Sequence, residues 1–304
     1  MPQPVAIVRR LVRALRVRAN VSGALTIEST VNILNQAMAT KPFALLFEDG
    51  QTWLVLPGGI QLKYLDKYNS VTSILLNSGD FEQTELGVIC DNLTEGSVFF
   101  DIGANVGLYT ICVAKKFQHV QVHAFEPVPE TCDELRTNLR RNQIDQSKVT
   151  VNPVALGAEN KRVYVTTEYH SSNYVTTEQS REKKTAVNCL TLDSYVSAKH
   201  ISHVDLIKID VEGKEFGVLC GATNTLRKYR PILQIELLEN PSAFADRVVE
   251  KWTDTVGLLH DMGYSYYVMD DEHRLVDRHN LKREHMQRSY HNYFFYHDGI
   301  RLPP

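Results

Sequence analysis

The chain has 304 residues, 43% of them apolar and 23% charged, proportions that suit a globular protein with a real core. A formal net charge of −3 argues against a protein that binds nucleic acid over its whole surface. No stretch approaches the roughly 18 uninterrupted apolar residues of a membrane span.

Five scattered cysteines (Cys90, Cys112, Cys132, Cys189 and Cys220) form no CxxC pair, and the histidines show no metal-ligand spacing with nearby acids. Neither a disulfide framework nor a metal site is therefore expected. With no secretory pattern at the N-terminus, the chain reads as a soluble, cytoplasmic protein.

In chain order, residues 1–20 hold five arginines and no acid. Val8, Leu11, Val12 and Leu15 fall at helical spacing, with Arg9, Arg13 and Arg16 on another face. Such a helix either packs on its own domain or lies on an anionic membrane surface. The second reading gives weak peripheral attachment. FALLFEDGQTWLVLPGG (43–59) reads as a hairpin with Asp49-Gly50 at the turn. YLDKYNSVTSILLNSG (64–79) reads as a helix closed by Gly79. Residues 1–80 thus form an N-terminal appendage, suited to capping or shaping a cleft.

From residue 81 to 304 strands and helices alternate. FEQTELGVICDNL reads as a helix, SVFFDIG (97–103) as a strand, and a second helix starts near Leu108. The strand VQVHAFE (120–126) follows, then the helix PETCDELRTNLRRN and the strand VTVNPVALG (149–157). RVYVTTE and TAVNCLTL look like extra strands around a polar tip at 170–184. The strand VDLIKIDVEG (204–213), a helix over about 214–229, the strand PILQIELLE (231–239) and a helix near 246–262 come next. YSYYVMD and YFFYH close the chain as an antiparallel edge hairpin. This order predicts an α/β, doubly wound, mostly parallel sheet.

In such a sheet, ligands bind outside the carboxyl ends of the strands. The first loop reads Asp101-x-Gly103-x-Asn105-x-Gly107, which departs from the GxGxxG of a dinucleotide site. Asp101 at the loop mouth would repel a pyrophosphate and attract an ammonium or sulfonium. S-adenosylmethionine carries such an end. Glu126, a little over twenty residues on, is placed to accept hydrogen bonds from both hydroxyls of a ribose. NPVALG ends the third strand, where backbone and small side chains frame an adenine.

FFDIGANVGLYT, FEPVPETCDELRTNL, NPVALG, DLIKIDVEGKEFGVLCGA and RPILQIE resemble, in order and spacing, the successive blocks of FkbM-type S-adenosylmethionine-dependent methyltransferases. The resemblance covers roughly residues 81–240. It implies a class I, Rossmann-like, seven-stranded methyltransferase fold. It also implies methylation of a hydroxyl on a small molecule, glycan, glycolipid or natural product. The expected cofactor-binding residues are Asp101, Gly103, Ala104, Asn105, Gly107, Tyr109, Glu126, Pro127, Val154, Ala155 and Asp210.

Methyl transfer to an alcohol also needs a group that takes its proton. Lys208, Asp210 and Glu212 alternate along KIDVEG and share a face if the strand persists that far. Asp210 and Glu212 are the first candidates for acceptor binding or proton removal, with Lys208 deeper and paired to one of them. Glu236 reaches the mouth of the next strand. The competing reading makes Asp210 a helix cap and Glu212 half of an ion pair. Asn173 and Tyr174 either fold over the acceptor or belong to a surface loop. At the level of function, two rivals stand: an NAD(P)-dependent oxidoreductase, disfavoured by the loop spacing, and a non-catalytic nucleoside-binding protein of the same fold.

Overall fold

The computed structural model describes residues 44–64, 71–72, 82–169, 172–238, 250–270, 274–277 and 290–297. The basic pattern of residues 1–20 lies outside them, and the helix expected over 64–79 falls almost wholly outside them. The chain divides into two units, residues 1–81 with 140–142, and residues 82–139 with 143–304.

In the first unit β1 (Ala44–Glu48) and β2 (Gln51–Leu56) pair antiparallel, and β3 (Ile60–Lys63) pairs with β2. The turn is Asp49-Gly50, both at positive φ, as a two-residue hairpin demands. Trp53, Leu54 and Leu62 are buried, and the Arg141 guanidinium covers the Trp53 ring at 4.7 Å.

The second unit begins with α1 (Gln83–Asp91), β4 (Val98–Ile102), α2 (Leu108–Lys116), β5 (Gln121–Phe125), α3 (Pro129–Arg141) and β6 (Val149–Asn152). Every residue of β4 is buried, which is the pattern of a strand covered on both faces. Four short strands follow: β7 (Ala155–Leu156), β8 (Lys161–Thr166), β9 (Val175–Thr176) and β10 (Lys184–Leu190). Next come α4 (Leu192–Ala198), β11 (Leu206–Ile209), α5 (Glu215–Cys220), α6 (Thr223–Tyr229) and β12 (Ile232–Leu238). The stretch expected as one helix over 214–229 is thus two, parted at Gly221-Ala222. The chain ends with α7 (Trp252–Asp261), β13 (Tyr264–Met269), β14 (Leu275–Asp277) and β15 (Tyr290–His297). Among the described residues no helix is long and apolar enough to cross a membrane.

The main sheet has the order β14-β13-β15-β12-β11-β4-β5-β6. Strands β6, β5, β4, β11 and β12 run parallel, and β15 lies antiparallel between β12 and β13. This is the doubly wound, mostly parallel sheet expected, with an eighth strand, β14, at the edge. The late hairpin expected at one edge is therefore set inward, because β15 pairs on both sides. The chain winds outward from β4 to β6, then returns to β11, so the switch in strand order falls between β4 and β11. Strands β7-β10-β8-β9 form a separate four-stranded sheet. Its buried face gathers Val128, Ala155, Val165, Val187 and Cys189.

Candidate functional site

The switch point places the ends of β4 and β11 side by side, and a cleft opens there. Gly103, the residue after β4, has φ +81°, and a Cβ on it would lie 1.8 Å from the Asp210 carbonyl oxygen. Only glycine lets the two strand ends approach this closely. Gly107 has φ +91°, and its Cβ would meet Leu135 at 2.1 Å, so this glycine seats α2 against α3. Gly103 and Ala104 both donate N–H to the Phe125 carbonyl. Asn105 turns through φ +50°, with its Oδ1 accepting from Val106 N–H at 2.8 Å.

Glu126 faces this loop. Its Oε2 accepts from Asn105 N–H at 3.0 Å and its Oε1 from Val128 N–H at 2.9 Å. Burial raises its carboxyl to about 7, against the pull of those two backbone donors. A ligand that donates further hydroxyls would favour the ionised form. The cleft is open to solvent. Gly103, Asn105, Glu126, Pro127, Val154, Ala155 and Asp210 all line it, as does Glu212.

Other expected site residues lie behind this wall. Asp101 was expected at the loop mouth; it is instead fully buried within β4. Its Oδ2 accepts from the Thr110 hydroxyl at 2.6 Å and from Thr110 N–H at 3.1 Å. As the fourth residue of a strand roofed by α2, it has no route to solvent. Ala104 is buried, and Tyr109 points away to Glu82, donating its hydroxyl to Oε2 at 2.6 Å. Neither they nor Gly107 line the cleft.

Lys208 sits beneath Asp210 with its Nζ 3.1 Å from Asp210 Oδ2 and 3.9 Å from Asp101 Oδ1. The ammonium also lies 5.0 Å from the centre of the Tyr109 ring. Burial opposes its charge, yet Asp210, Asp101 and Glu82 together raise its pKa above the ordinary lysine value. Asp101 Oδ1 has no hydrogen-bond partner among the described residues, so the nearby cation is what steadies it.

The alternation expected along KIDVEG stops short. β11 ends at Ile209, and Glu212 takes φ +56°, so Glu212 reaches the cleft from a turn and not from the strand. The helix-cap role considered for Asp210 does not arise: Lys214 stands at the N-cap of α5 with no side-chain cap hydrogen bond, and Glu215 instead ties down the turn before the helix, accepting from Gly213 N–H at 3.0 Å. Glu236, on β12, is held well above the ordinary carboxylate range by burial, with Asp210, Glu212, Glu82 and Glu215 adding repulsion. Among the described residues no group of acids, histidines and cysteines could hold a metal ion.

Two carboxylates absent from the sequence reading join this cluster. Glu82 is pushed up to about 7 by burial, opposed by Lys208. Glu215 reaches about 7 through burial against its backbone donors. The polar segment also proves structured: Asn173, Tyr174 and Val175 line the cleft.

The donor set fits an S-adenosyl group better than a dinucleotide. Glu126 presents an oriented carboxylate to hydroxyls, Val154 and Ala155 offer an apolar surface, and Asp210 offers negative charge. Lys214 is the one cation among the described lining residues, against the acids Glu126, Asp210 and Glu212, a balance that disfavours a pyrophosphate.

Residues 101–266, more than half of the chain, match the family model of the methyltransferase FkbM domain. A hexuronic acid methyltransferase of Haloferax volcanii is 31% identical over 152 residues, covering 48% of this chain and 58% of its own. The 31-O-demethyl-FK506 methyltransferase of Streptomyces tacrolimicus is 40% identical over 52 residues, 17% of this chain and 20% of its own. The chain therefore spans less than two thirds of either relative. A crystal structure of methyltransferase FkbM from Methylobacillus flagellatus superposes with a TM-score of 0.43 at 18% identity, over 67% of this chain and 44% of that one.

Proposed function

Because the chain belongs to the methyltransferase FkbM domain family, we propose that it is an S-adenosylmethionine-dependent O-methyltransferase. Its acceptor is a hydroxyl of a small molecule or glycan. The single observation that carries this reading is the oriented Glu126 carboxylate opposite Gly103 and Asp210 in one cleft. The relatives, by their names, methylate hexuronic acid and 31-O-demethyl-FK506, which supports an oxygen-bearing organic acceptor. The basic residues 1–20 suit a lipid-linked acceptor at an anionic membrane.

S-adenosylmethionine supplies an electrophilic methyl group on a sulfonium. Gly103, Asn105, Glu126, Pro127, Val154 and Ala155 would hold it. Asp210 and Glu212 face the same cleft and are the groups that would bind the acceptor or receive its proton. Lys208 keeps Asp210 in place from below. Asp101, Gly107 and Tyr109 support that arrangement from the layer behind. Glu236, its carboxyl held well above the ordinary range by burial, stands outside the described lining of the cleft.

The reading is tested by incubating the protein with methyl-labelled S-adenosylmethionine and a panel of neutral and uronic-acid glycosides. Label in an acid- and base-stable methyl ether of one acceptor is expected. Label found only in a base-labile ester would contradict transfer to a hydroxyl.

A further inference from the structure

Glu82 stands at the N-cap of α1, yet its side chain makes no cap hydrogen bond. The residue takes φ +51°, a left-handed conformation uncommon for a side chain of this kind. Its carboxylate turns to Tyr109 instead and accepts the hydroxyl at 2.6 Å. The Tyr109 ring in turn carries the Lys208 ammonium over its face at 5.0 Å. A phenol that donates to a carboxylate is richer in electrons, and such a ring holds a cation more firmly.

Lys208 is the register partner of Asp101 and donates to Asp210 at 3.1 Å. Asp210 lines the cleft, and its side chain is 29% exposed. Glu82, Tyr109, Lys208 and Asp210 thus form an unbroken chain from the start of α1 to the cleft wall. Along it three carboxylates, Asp210, Asp101 and Glu82, draw on one ammonium. Such an excess of negative charge in a layer largely closed to water is relieved by a proton, or by a cation arriving in the cleft.

Glu82 is the member able to respond. Unlike Asp101 and Lys208 it is not fully buried, so it can exchange a proton with water. Burial lifts its carboxyl to about 7, opposed by Lys208 and the Tyr109 hydroxyl and aided by repulsion from Asp210 and Glu85. Glu236 of β12 repels it as well.

Resting on the S-adenosyl reading of the cleft, we propose that Glu82 is a positioning residue that lets the cleft tell a sulfonium from the spent, neutral thioether. It acts through Tyr109, Lys208 and Asp210, and gives up a proton when the cation enters beside Asp210.

Calorimetry without acceptor tests this, with S-adenosylmethionine and S-adenosylhomocysteine each titrated in phosphate and in Tris at pH 7. The difference in heat between the buffers counts the protons released. The unaltered protein is expected to release up to about half a proton more with S-adenosylmethionine, because a group titrating near 7 is half protonated there. Protons that leave Glu126 at the ribose hydroxyls are common to both ligands and cancel. Glu82→Gln, which keeps an acceptor for Tyr109, is expected to remove the difference and to weaken S-adenosylmethionine alone, about tenfold at pH 8.

Equal proton release with the two ligands in the unaltered protein would overturn the proposal, as would a difference that persists in Glu82→Gln. So would an affinity loss shared equally by both ligands, since that would make Glu82 a support of the fold or of the amino-acid end. Should Glu82→Gln not fold, Tyr109→Phe decides. Removing the hydroxyl that favours ionised Glu82 is expected to enlarge the difference at pH 7, and an unchanged difference overturns the proposal. If the unaltered protein binds neither ligand, the S-adenosyl reading itself falls, and this inference with it.

Discussion

Glu126 and Lys208 carry opposite burdens. Glu126 is oriented by two backbone donors and is open to the cleft. Lys208 is buried against two carboxylates. Replacing Glu126 by Ala is expected to weaken S-adenosylhomocysteine by roughly 1.5–3 kcal/mol for each charge-assisted hydrogen bond lost, read by calorimetry. Because its carboxyl titrates near 7 in the free protein and hydroxyl donors favour the anion, affinity should rise as pH climbs through 7 and level off above it. A pH-independent affinity between 6 and 8 would count against Glu126 as the hydroxyl acceptor. Replacing Lys208 by Met strands Asp101 and Asp210. Breaking a buried pair in this way costs about 3–5 kcal/mol, which denaturant melts would reveal. Asp210→Asn should leave S-adenosylhomocysteine affinity near normal while slowing turnover; loss of binding would mean that its role is misassigned.

His123 gives a separate titration, away from the cleft. Its Nδ1 lies 2.8 Å from the Tyr195 hydroxyl, and burial lowers its pKa from 6.5 to about 4. The unfolded chain therefore takes up the proton first. Stability from this group is complete above 6.5 and falls as pH drops to about 4, by about 3 kcal/mol in all. Glu126 and Glu215 act in the opposite sense: with folded values near 7 against 4.5 unfolded, their contribution is complete below 4.5 and fades as pH rises through 7. Comparing urea melts with those of His123→Gln between pH 7 and 5 isolates the histidine, and an equal slope in both proteins would refute it.

At the scale of elements, the turn between β4 and α2 shows what a linear reading captures. The glycines, Asn105 and the acid ending β5 mark the site because each acts within a few residues of its neighbours or at a fixed offset along one strand-turn-helix unit. Glu82 and Glu215 carry no such mark. Glu82 matters because Tyr109, twenty-seven positions away, brings it near Lys208. Asp101 was misplaced because spacing gives the order of residues along β4, not which of them α2 covers. The segment around Tyr174 looked like a loop because β9 has only two residues, and side-chain hydrogen bonds hold it where periodicity has no room to appear. Gly103→Ala is expected to abolish S-adenosylhomocysteine binding, since the added carbon meets the Asp210 carbonyl at 1.8 Å. Binding that survives this change would show that the two strand ends can part.

For the whole molecule, the doubly wound parallel sheet and the antiparallel pairing of the late strands were legible from the alternation of elements, but not that β15 lies inside the sheet. The eighth strand was not, because three residues at an edge leave almost no pattern. The described residues that line the cleft fall between 102 and 214, within the second unit. A chain beginning at Glu82 should therefore keep S-adenosylhomocysteine affinity within a few-fold if it folds, while losing whatever residues 1–81 contribute to acceptor choice.

The most direct test of the central claim is calorimetric titration of the purified protein with S-adenosylhomocysteine, with NAD and NADP run in parallel. Micromolar binding of the nucleoside thioether and none of either dinucleotide is the expected result. Binding of a dinucleotide in its place would contradict the account, and the roles given to Glu126 and Asp210 would fall with it.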